Sequence, residues 1–340
     1  MNRPIEVGAL RISVALGTHN GQRFVGEQIA SILAQTRPVD EIVLSDDASS
    51  DRTVEIVEAA VSAHQAAHGR APELVILRNE PALRVTKNFE QALLRTTGDL
   101  VALCDQDDIW HPTRIERLAA AFDNPSVLFV FSNARQVDAE GEYLGHDLFE
   151  AVALGAEERQ LLSDGAAFEQ FMRRNLATGA TVLLRRSLVD VAAPFPKAWL
   201  HDEWLAIVAA MFGGALMHDE TLTDYRQHEG NQVGMSPLRA RRTFGMLMQP
   251  RTERNRRLFL RAQSLDERVD SLRSPLGGEA PALRYREMAH EKYRFEQARQ
   301  AYPESRIKRV APILRQLRSG NYTRYGTGLK DAVRNLLQPV

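Results

Sequence analysis

The chain has 340 residues, 44% apolar and 26% charged, with a formal net charge of −1. These are the values of a soluble globular protein long enough for one large domain or two ordinary ones. No apolar run approaches the roughly 18 residues needed to span a bilayer, Met1-Asn2-Arg3-Pro4-Ile5-Glu6 has no apolar signal core, and the single cysteine, Cys104, excludes a disulfide framework. A cytoplasmic protein without membrane span or export signal is therefore expected.

Strand and helix signals alternate through the first half. Ile12–Leu16 predicts a strand, broken by Gly17-Thr18-His19-Asn20-Gly21 and followed by a helix from about Arg23 to Gln35. Glu41–Ser45 predicts a second strand, ended by Asp46-Asp47-Ala48-Ser49-Ser50-Asp51, and Thr53 to about His64 a second helix. A strand at Leu74–Leu77 and a helix over Val85–Thr96 lead to Gly98-Asp99 and the apolar run Leu100–Cys104. A helix from Pro112, a residue suited to a first helical turn, to about Phe122 precedes an all-apolar strand at Val127–Phe131. Short apolar strands separated by helices of ten or more residues indicate an α/β fold, a mostly parallel sheet covered on both faces.

Beyond residue 135 the signals loosen. Asp138–Glu142 reads as a hairpin turn, residues 146–165 as a mobile loop, Thr181–Leu184 as a strand, and Asp202–Phe212 as an amphipathic helix with Leu205, Val208 and Ala209 inward. Tyr225 is expected to follow a short strand. From about Ser236 the pattern is helical and arginine-rich, with breaks at Ser274–Gly278 and near Pro303 and Pro312. This divides the chain into a body, residues 1–235, and a C-terminal basic helical extension, residues 236–340. The extension holds 23 Lys and Arg against 10 Asp and Glu; the body holds 20 against 34. Such asymmetry points to an anionic membrane surface, an anionic acceptor or the body itself as partner, with a solvated helical face as the alternative. No nucleic-acid partner is expected.

The densest chemistry lies at Asp105-Gln106-Asp107-Asp108, directly after the Leu100–Cys104 run. Carboxylates this close repel one another, more strongly as water is excluded. A hard divalent cation, Mg²⁺ or Mn²⁺, that shares its coordination with substrate phosphates relieves the repulsion. The competing reading is an acidic turn in which Asp108 or a neighbour caps the next helix. Thr18 and Asn20, Asp46 and Asp47, and Asp105 and Asp107 all follow strands, so a parallel sheet can bring them to one cleft. Asp46 or Asp47 can accept from the imide N–H of uracil or thymine; turn chemistry accounts well for Ser49, Ser50 and Asp51 and less well for the Asp46-Asp47 pair.

Neither a G-x-G-x-x-G after the first strand nor a P-loop occurs. A diphosphate would then depend on a cation at Asp105 and Asp107, which favours a transferase with a nucleotide-diphosphate donor over a dehydrogenase or an NTPase. Asp202, in His201-Asp202-Glu203-Trp204, falls in a first helical turn whose dipole keeps it ionised and available as a general base toward a sugar hydroxyl; an N-cap role competes. In Tyr225–Asn231, His228 can ligate a metal and Arg226 can pair with a phosphate, although a single His beside an Arg is more often structural.

Ile12–Gly21, Ser31–Thr36 and Ser45–Thr53 resemble the opening of a glycosyltransferase family 2 enzyme of GT-A fold. Asn88-Phe89, Asp105–Trp110, His201–Ala206 and Tyr225–Asn231 resemble a bacterial subgroup often assigned as rhamnosyltransferases. The similarity covers about residues 10–235, in order. It implies inverting, metal-dependent transfer of a sugar from a nucleotide-diphosphate sugar to an acceptor hydroxyl in cell-surface polysaccharide or O-antigen assembly. The implied donor is dTDP-rhamnose, with UDP-linked sugars as the alternative. The acceptor would be a glycan or lipid-linked glycan, and the chain would sit peripherally on the inner face of the cytoplasmic membrane.

By motif position Thr18, Asn20, Asp46 and Asp47 would contact the nucleoside, and Asp105 the ribose and donor sugar. Asp107 and His228 would hold the metal and Asp202 would be the base. Gly179, in Asn175–Ala180, would lie near donor sugar and acceptor, together with Asp108, Trp110, Glu203 and Arg226. The family's usual proline-threonine-tyrosine-asparagine is Gly17-Thr18-His19-Asn20 here. Two other readings stay open: a non-catalytic scaffold with an inherited sugar-nucleotide fold, and a nucleotidyltransferase, which would release pyrophosphate.

Overall fold

The computed structural model describes residues 10–229 and 251–339. The N-terminal residues 1–9, the expected match at Gly230-Asn231 and the expected division near Ser236 lie outside them. The strands are β1 (Ile12–Thr18), β2 (Glu41–Asp46), β3 (Glu73–Arg78), β4 (Leu100–Cys104), β5 (Ile109–Trp110), β6 (Phe129–Val137), β7 (Tyr143–Asp147), β8 (Val182–Arg185) and β9 (Ala215–Arg226). The helices of the body are α1 (Val25–Leu33), α2 (Thr53–His68), α3 (Val85–Arg95), α4 (Arg114–Ala119), α5 (Leu148–Ala151), α6 (Ala156–Ser163), α7 (Ala167–Arg173), α8 (Arg186–Ala192) and α9 (His201–Met211). After residue 250 follow α10 (Arg251–Val269), α11 (Leu283–Gln300), α12 (Arg306–Arg318), α13 (Asn321–Tyr325) and α14 (Leu329–Leu337).

The strands form one sheet in the order β3-β2-β1-β4-β8-β6-β9-β5, with β7 paired to β6. β3, β2, β1 and β4 are parallel to their neighbours, as are β6 and β9, while β8 runs antiparallel between β4 and β6. Leu16 pairs with Leu44 on one side and Cys104 on the other, and Thr18 pairs with Asp46. This register delivers the residues that follow β1, β2 and β4 to one level at the carboxyl edge, where open α/β sheets bind ligands.

Strand side chains alternate between two cores, as the pleat requires. Val14, Leu16, Ile42, Leu44, Ala102 and Cys104 pack with α1 and α2. Ala15, Val43, Val101 and Leu103 pack with α3 and α9. Cys104 is fully buried, and burial pushes its thiol pKa up, so it behaves as a small apolar residue. Gly17 is required by the same packing, because a Cβ there would lie 2.8 Å from the Phe89 ring.

Several expectations are corrected. Residues 146–165 are not a mobile loop: they complete β7 and form α5 and α6, since Leu148, Phe149 and Leu162 are buried anchors. The strand before Tyr225 is not short; β9 has twelve residues and contains both Tyr225 and Arg226. Helix α9 is not amphipathic but buried all round, because α3, α7 and α8 as well as the sheet pack around it. Pro112 precedes the helix rather than opening it, and Pro312 lies inside α12 without ending it. The hairpin turn is present, with Asp138 N–H donating to the Glu142 carbonyl. No helix among the described residues is long and apolar enough to cross a membrane.

Helices α10 to α14 share the core of the body. Phe168 of α7 is fully buried with its ring 4.6 Å from that of Tyr285 on α11. Arg268 donates to the carbonyls of Val191, Ala192, Ala193 and Pro194, closing the end of α8. Phe168→Ala should therefore lower unfolding free energy by about 3–5 kcal/mol and leave one cooperative urea transition. Two separated transitions would show that the extension folds independently.

Candidate active site

The cleft opens at the carboxyl edge of β1, β2 and β4 and runs toward α10, α11 and α14, with a volume of about 640 Å³. Thr18, Asp47, Asp105, Asp107, Gly179, Asp202 and Glu203 line it. Asn20, Asp46, Asp108, Trp110, Arg226 and His228 are not in its lining.

Thr18 Oγ1 donates to Asp46 Oδ1 at 2.8 Å, and Asp46 also accepts from the Ser49 N–H and hydroxyl. Asp46 is thus the staple of the β2 turn. Asp47 is held by the N–H groups of Leu83 and Arg84, at 2.5 and 2.8 Å. Asn20 is exposed, sits at φ 47° and accepts from the Ser50 N–H. Its work is local, in the left-handed conformation that Asn tolerates well.

Gln106 went unremarked in the sequence. Its carbonyl accepts the His19 N–H at 2.8 Å and its amide donates to the His19 carbonyl at 3.0 Å. This two-way clamp ties the loop after β1 to the loop after β4. A Gln between carboxylates gives no periodic or motif signal, so only the fold reveals it.

Asp107 Oδ2 lies 2.8 Å from His228 Nε2, and the His228 ring stacks on Phe24 at 4.6 Å. The two residues are 121 apart in sequence, and the antiparallel pairing of β9 with β5, Ile109 opposite Asp224, brings His228 to the loop after β4. Arg226 departs from the phosphate role expected of it. Its side chain is 1% exposed, and it donates to the carbonyls of Asp107 and Ala139 and to Glu27. Its own N–H donates to Asp108 Oδ1. Asp108 and Arg226 are therefore paired scaffolding beneath the acidic loop. Trp110 is likewise a core residue, 2% exposed, with the Arg114 guanidinium 3.9 Å from its ring centroid.

On the far wall, Asp202 lies in the first turn of α9. Its Oδ2 accepts the Gly179 N–H at 2.9 Å and its Oδ1 the Glu203 N–H at 2.8 Å. A Cβ on Gly179 would meet His201 Nε2 at 3.2 Å and Asp202 Oδ2 at 3.5 Å, which explains the glycine. Burial raises the Asp202 pKa despite these two bonds, so desolvation outweighs the helix dipole expected to hold it down. Glu203 is also raised by burial, opposed by Arg261, its ion-pair partner at 3.0 Å. His201, a second residue the sequence did not single out, stacks on Phe89 with centroids 3.9 Å apart. Burial lowers its pKa to about 3, so the ring is neutral.

The electrostatic centre is Asp105. Burial, Asp107 and Asp202 push its pKa up to about 7. A divalent cation fits this end of the cleft. Among the described residues no group of three His, Cys, Asp or Glu side chains forms a metal cage. Asp107 and His228 would supply one oxygen and one nitrogen ligand to a divalent cation, with water and substrate phosphate completing its shell.

This architecture, an α/β sheet with an acidic carboxyl edge, has solved counterparts. TarS from S. aureus in complex with UDP-GlcNAc has a TM-score of 0.52 at 18% identity, covering 96% of this chain and 90% of that one. A mannosyltransferase from Pyrobaculum calidifontis, in complex with GDP-Man and Mn²⁺, has a TM-score of 0.52 at 19% identity, covering 92% and 76%. The fold is that of GT-A glycosyltransferases. The sequence signature of Glycosyl transferase family 2 matches residues 13–191, and the chain belongs to that family. Among curated relatives, the Escherichia coli UDP-Glc:alpha-D-GlcNAc-diphosphoundecaprenol beta-1,3-glucosyltransferase WfgD is 23% identical over 203 residues, 58% of this chain and 69% of that protein. The chain spans only 37 to 66% of the length of three other curated glycosyltransferase relatives.

Arg226→Met should cost about 3 kcal/mol or more, because several charge-assisted hydrogen bonds are lost. A fall in the urea midpoint accompanied by weaker nucleotide binding checks this. An unchanged midpoint would contradict the scaffolding role.

Proposed function

We propose that the chain is an inverting glycosyltransferase that moves a sugar from a nucleotide-diphosphate sugar to an acceptor hydroxyl. The observation that carries this reading is the meeting of Asp105, Asp107 and Asp202 in one cleft of about 640 Å³, large enough for a drug-sized ligand. Asp47, with both oxygens fixed by backbone N–H groups, faces the end where a base would lie. Uracil and thymine share the imide N–H it can accept, so UDP- and dTDP-linked sugars are the donors we favour. Rhamnose is the sugar that the motif resemblance suggests.

Asp202 takes the proton of the acceptor hydroxyl. The acceptor oxygen attacks the anomeric carbon opposite the diphosphate, and the bond from that carbon to the diphosphate oxygen breaks, its electron pair leaving with the nucleoside diphosphate. A Mg²⁺ or Mn²⁺ ion held by Asp107 and His228 would neutralise the charge on the leaving group. The N–H groups of Gly179 and Glu203 aim the Asp202 carboxylate. Neutral His201 adds no competing charge beside it. A base with a raised pKa suits the task, because proton transfer is most efficient near the working pH.

The names of relatives support a place in cell-surface polysaccharide or O-antigen assembly: WfgD uses a diphosphoundecaprenol-linked acceptor, and another relative is a putative teichuronic acid biosynthesis glycosyltransferase. We accordingly assign a glycan or lipid-linked glycan as acceptor, at the cytoplasmic face of the membrane.

Calorimetry with UDP and dTDP, with and without Mn²⁺, tests the nucleotide end. Wild type should bind more tightly with the cation and Asp107→Ala should lose that gain; equal binding by wild type in both conditions would remove the Asp107–His228 assignment. Asp202→Asn should bind donor normally yet lose about 10²- to 10⁴-fold in turnover. In wild type the acid limb of kcat/KM should lie above the ordinary aspartate value, since a raised pKa loses its base form at higher pH. Release of pyrophosphate in place of a nucleoside diphosphate would favour a nucleotidyltransferase.

A further inference from the structure

The segment Ser305–Pro339 holds eight Lys and Arg and a single carboxylate, Asp331. Asp331 is buried and paired with Arg254, so this segment's surface presents no negative side chain. Arg309 is buried as well, donating to the carbonyls of Pro303, Asn335 and Gln338. Arg306, Lys308, Arg315, Arg318 and Lys330 remain exposed.

Between these cations lie two exposed apolar stripes. α12 presents Ile307, Val310 and Leu314, and α14 presents Leu329, Val333 and Leu337. Spacings of three and four residues place each trio on one helix face. Ile307 is 85% exposed and Leu329 68% exposed. These residues are not displaced core: the inward positions of the same helices, Ile313, Leu317, Ala332 and Leu336, already pack with the main core. The two helices also pack on each other.

We propose that α12 and α14 form a docking face for an anionic lipid bilayer, with the two aliphatic stripes seated at the acyl boundary and the flanking Lys and Arg at headgroup phosphates. Apolar stripes edged by cations are the pattern of helices that lie in a membrane interface. A second copy of this chain fits poorly, because joining two such faces sets cation against cation. The face also carries no exposed aromatic anchor of the kind on which protein interfaces centre.

The position of the face ties it to the cleft. Asp331 of α14, with Tyr325, Gly326 and Thr327 just before it, lines the cleft, while Leu329, Val333 and Leu337 point outward from the same helix. The cleft would then open within about one helix diameter, roughly 10 Å, of the headgroups. Delivery of a lipid-linked acceptor rests on the transferase reading above; the docking itself is measured without turnover, so either can fail alone.

The test is co-sedimentation of the full chain with phosphatidylcholine vesicles, with and without phosphatidylglycerol, at low and high salt. Binding should require phosphatidylglycerol and weaken with salt. Each of Arg318→Ser and Lys330→Ser should weaken it by about fivefold. The pair Ile307→Ser and Leu329→Ser should weaken it by about tenfold or more. All these positions are exposed, so urea midpoints and UDP affinity should stay at wild-type values. Sedimentation indifferent to lipid charge, or none with either vesicle, would overturn the proposal. So would a concentration-dependent dimer, or binding of an acidic protein, that the same substitutions abolish while vesicle binding persists.

Discussion

Three carboxylates, Asp105, Asp107 and Asp202, face one cleft lined by apolar and charged side chains alike, and their mutual repulsion is the constraint around which the molecule is arranged. In bulk water charges this close would interact weakly; in a partly desolvated cleft the interaction grows severalfold. The cost appears in the raised pKa of Asp105, where burial acts first and Asp107 and Asp202 add to it, while Asp202 is raised by burial alone. Holding such groups together requires that the backbone carrying them cannot move. Arg226 beneath Asp107, Gln106 across to His19, and the N–H groups of Gly179 and Glu203 on Asp202 provide that rigidity. The acidic centre is pre-organised, and a cationic or polarisable ligand is its natural complement.

The charge asymmetry of the chain resolves into two populations of arginine. One population is internal: Arg268 caps α8, Arg261 pairs with Glu203 and lies over Trp199, and Arg299 pairs with Glu296. Arg268 and Arg261 join the helical extension to the body, and Arg261 and Arg299 form part of the cleft wall. The other population is exposed on α12 and α14. Counting charges along the sequence could not separate them, because burial of a guanidinium depends on carbonyls and carboxylates supplied by distant segments.

The alternation of apolar strands and helices, the acidic turns after β2 and β4, and the first turn of α9 were legible because each is a local pattern. The strand runs are all-apolar where both faces of the sheet are covered, and Asp, Ser and Gly cluster where strands end. Legibility failed where burial came from elsewhere. α9 reads as amphipathic until α3, α7 and α8 close around it, and α5 and α6 are too short to show a period. Trp110 and Asp108 sit within the same short run as Asp105 and Asp107, yet their side chains leave it toward the core and toward β9. His201 and Gln106 act through stacking and a backbone clamp, which no spacing rule announces.

The sequence by itself determined the α/β class, the parallel half of the sheet and the loops where chemistry gathers, since hydrophobic periodicity and turn residues act over a few positions. Only the tertiary structure decided which carboxylate of each pair faces the cleft, that Arg226 is scaffolding, and that His228 returns to Asp107 across 121 residues. The physical reason is that a side chain's direction and solvation are properties of its surroundings. Those surroundings are assembled from strands and helices far apart along the chain.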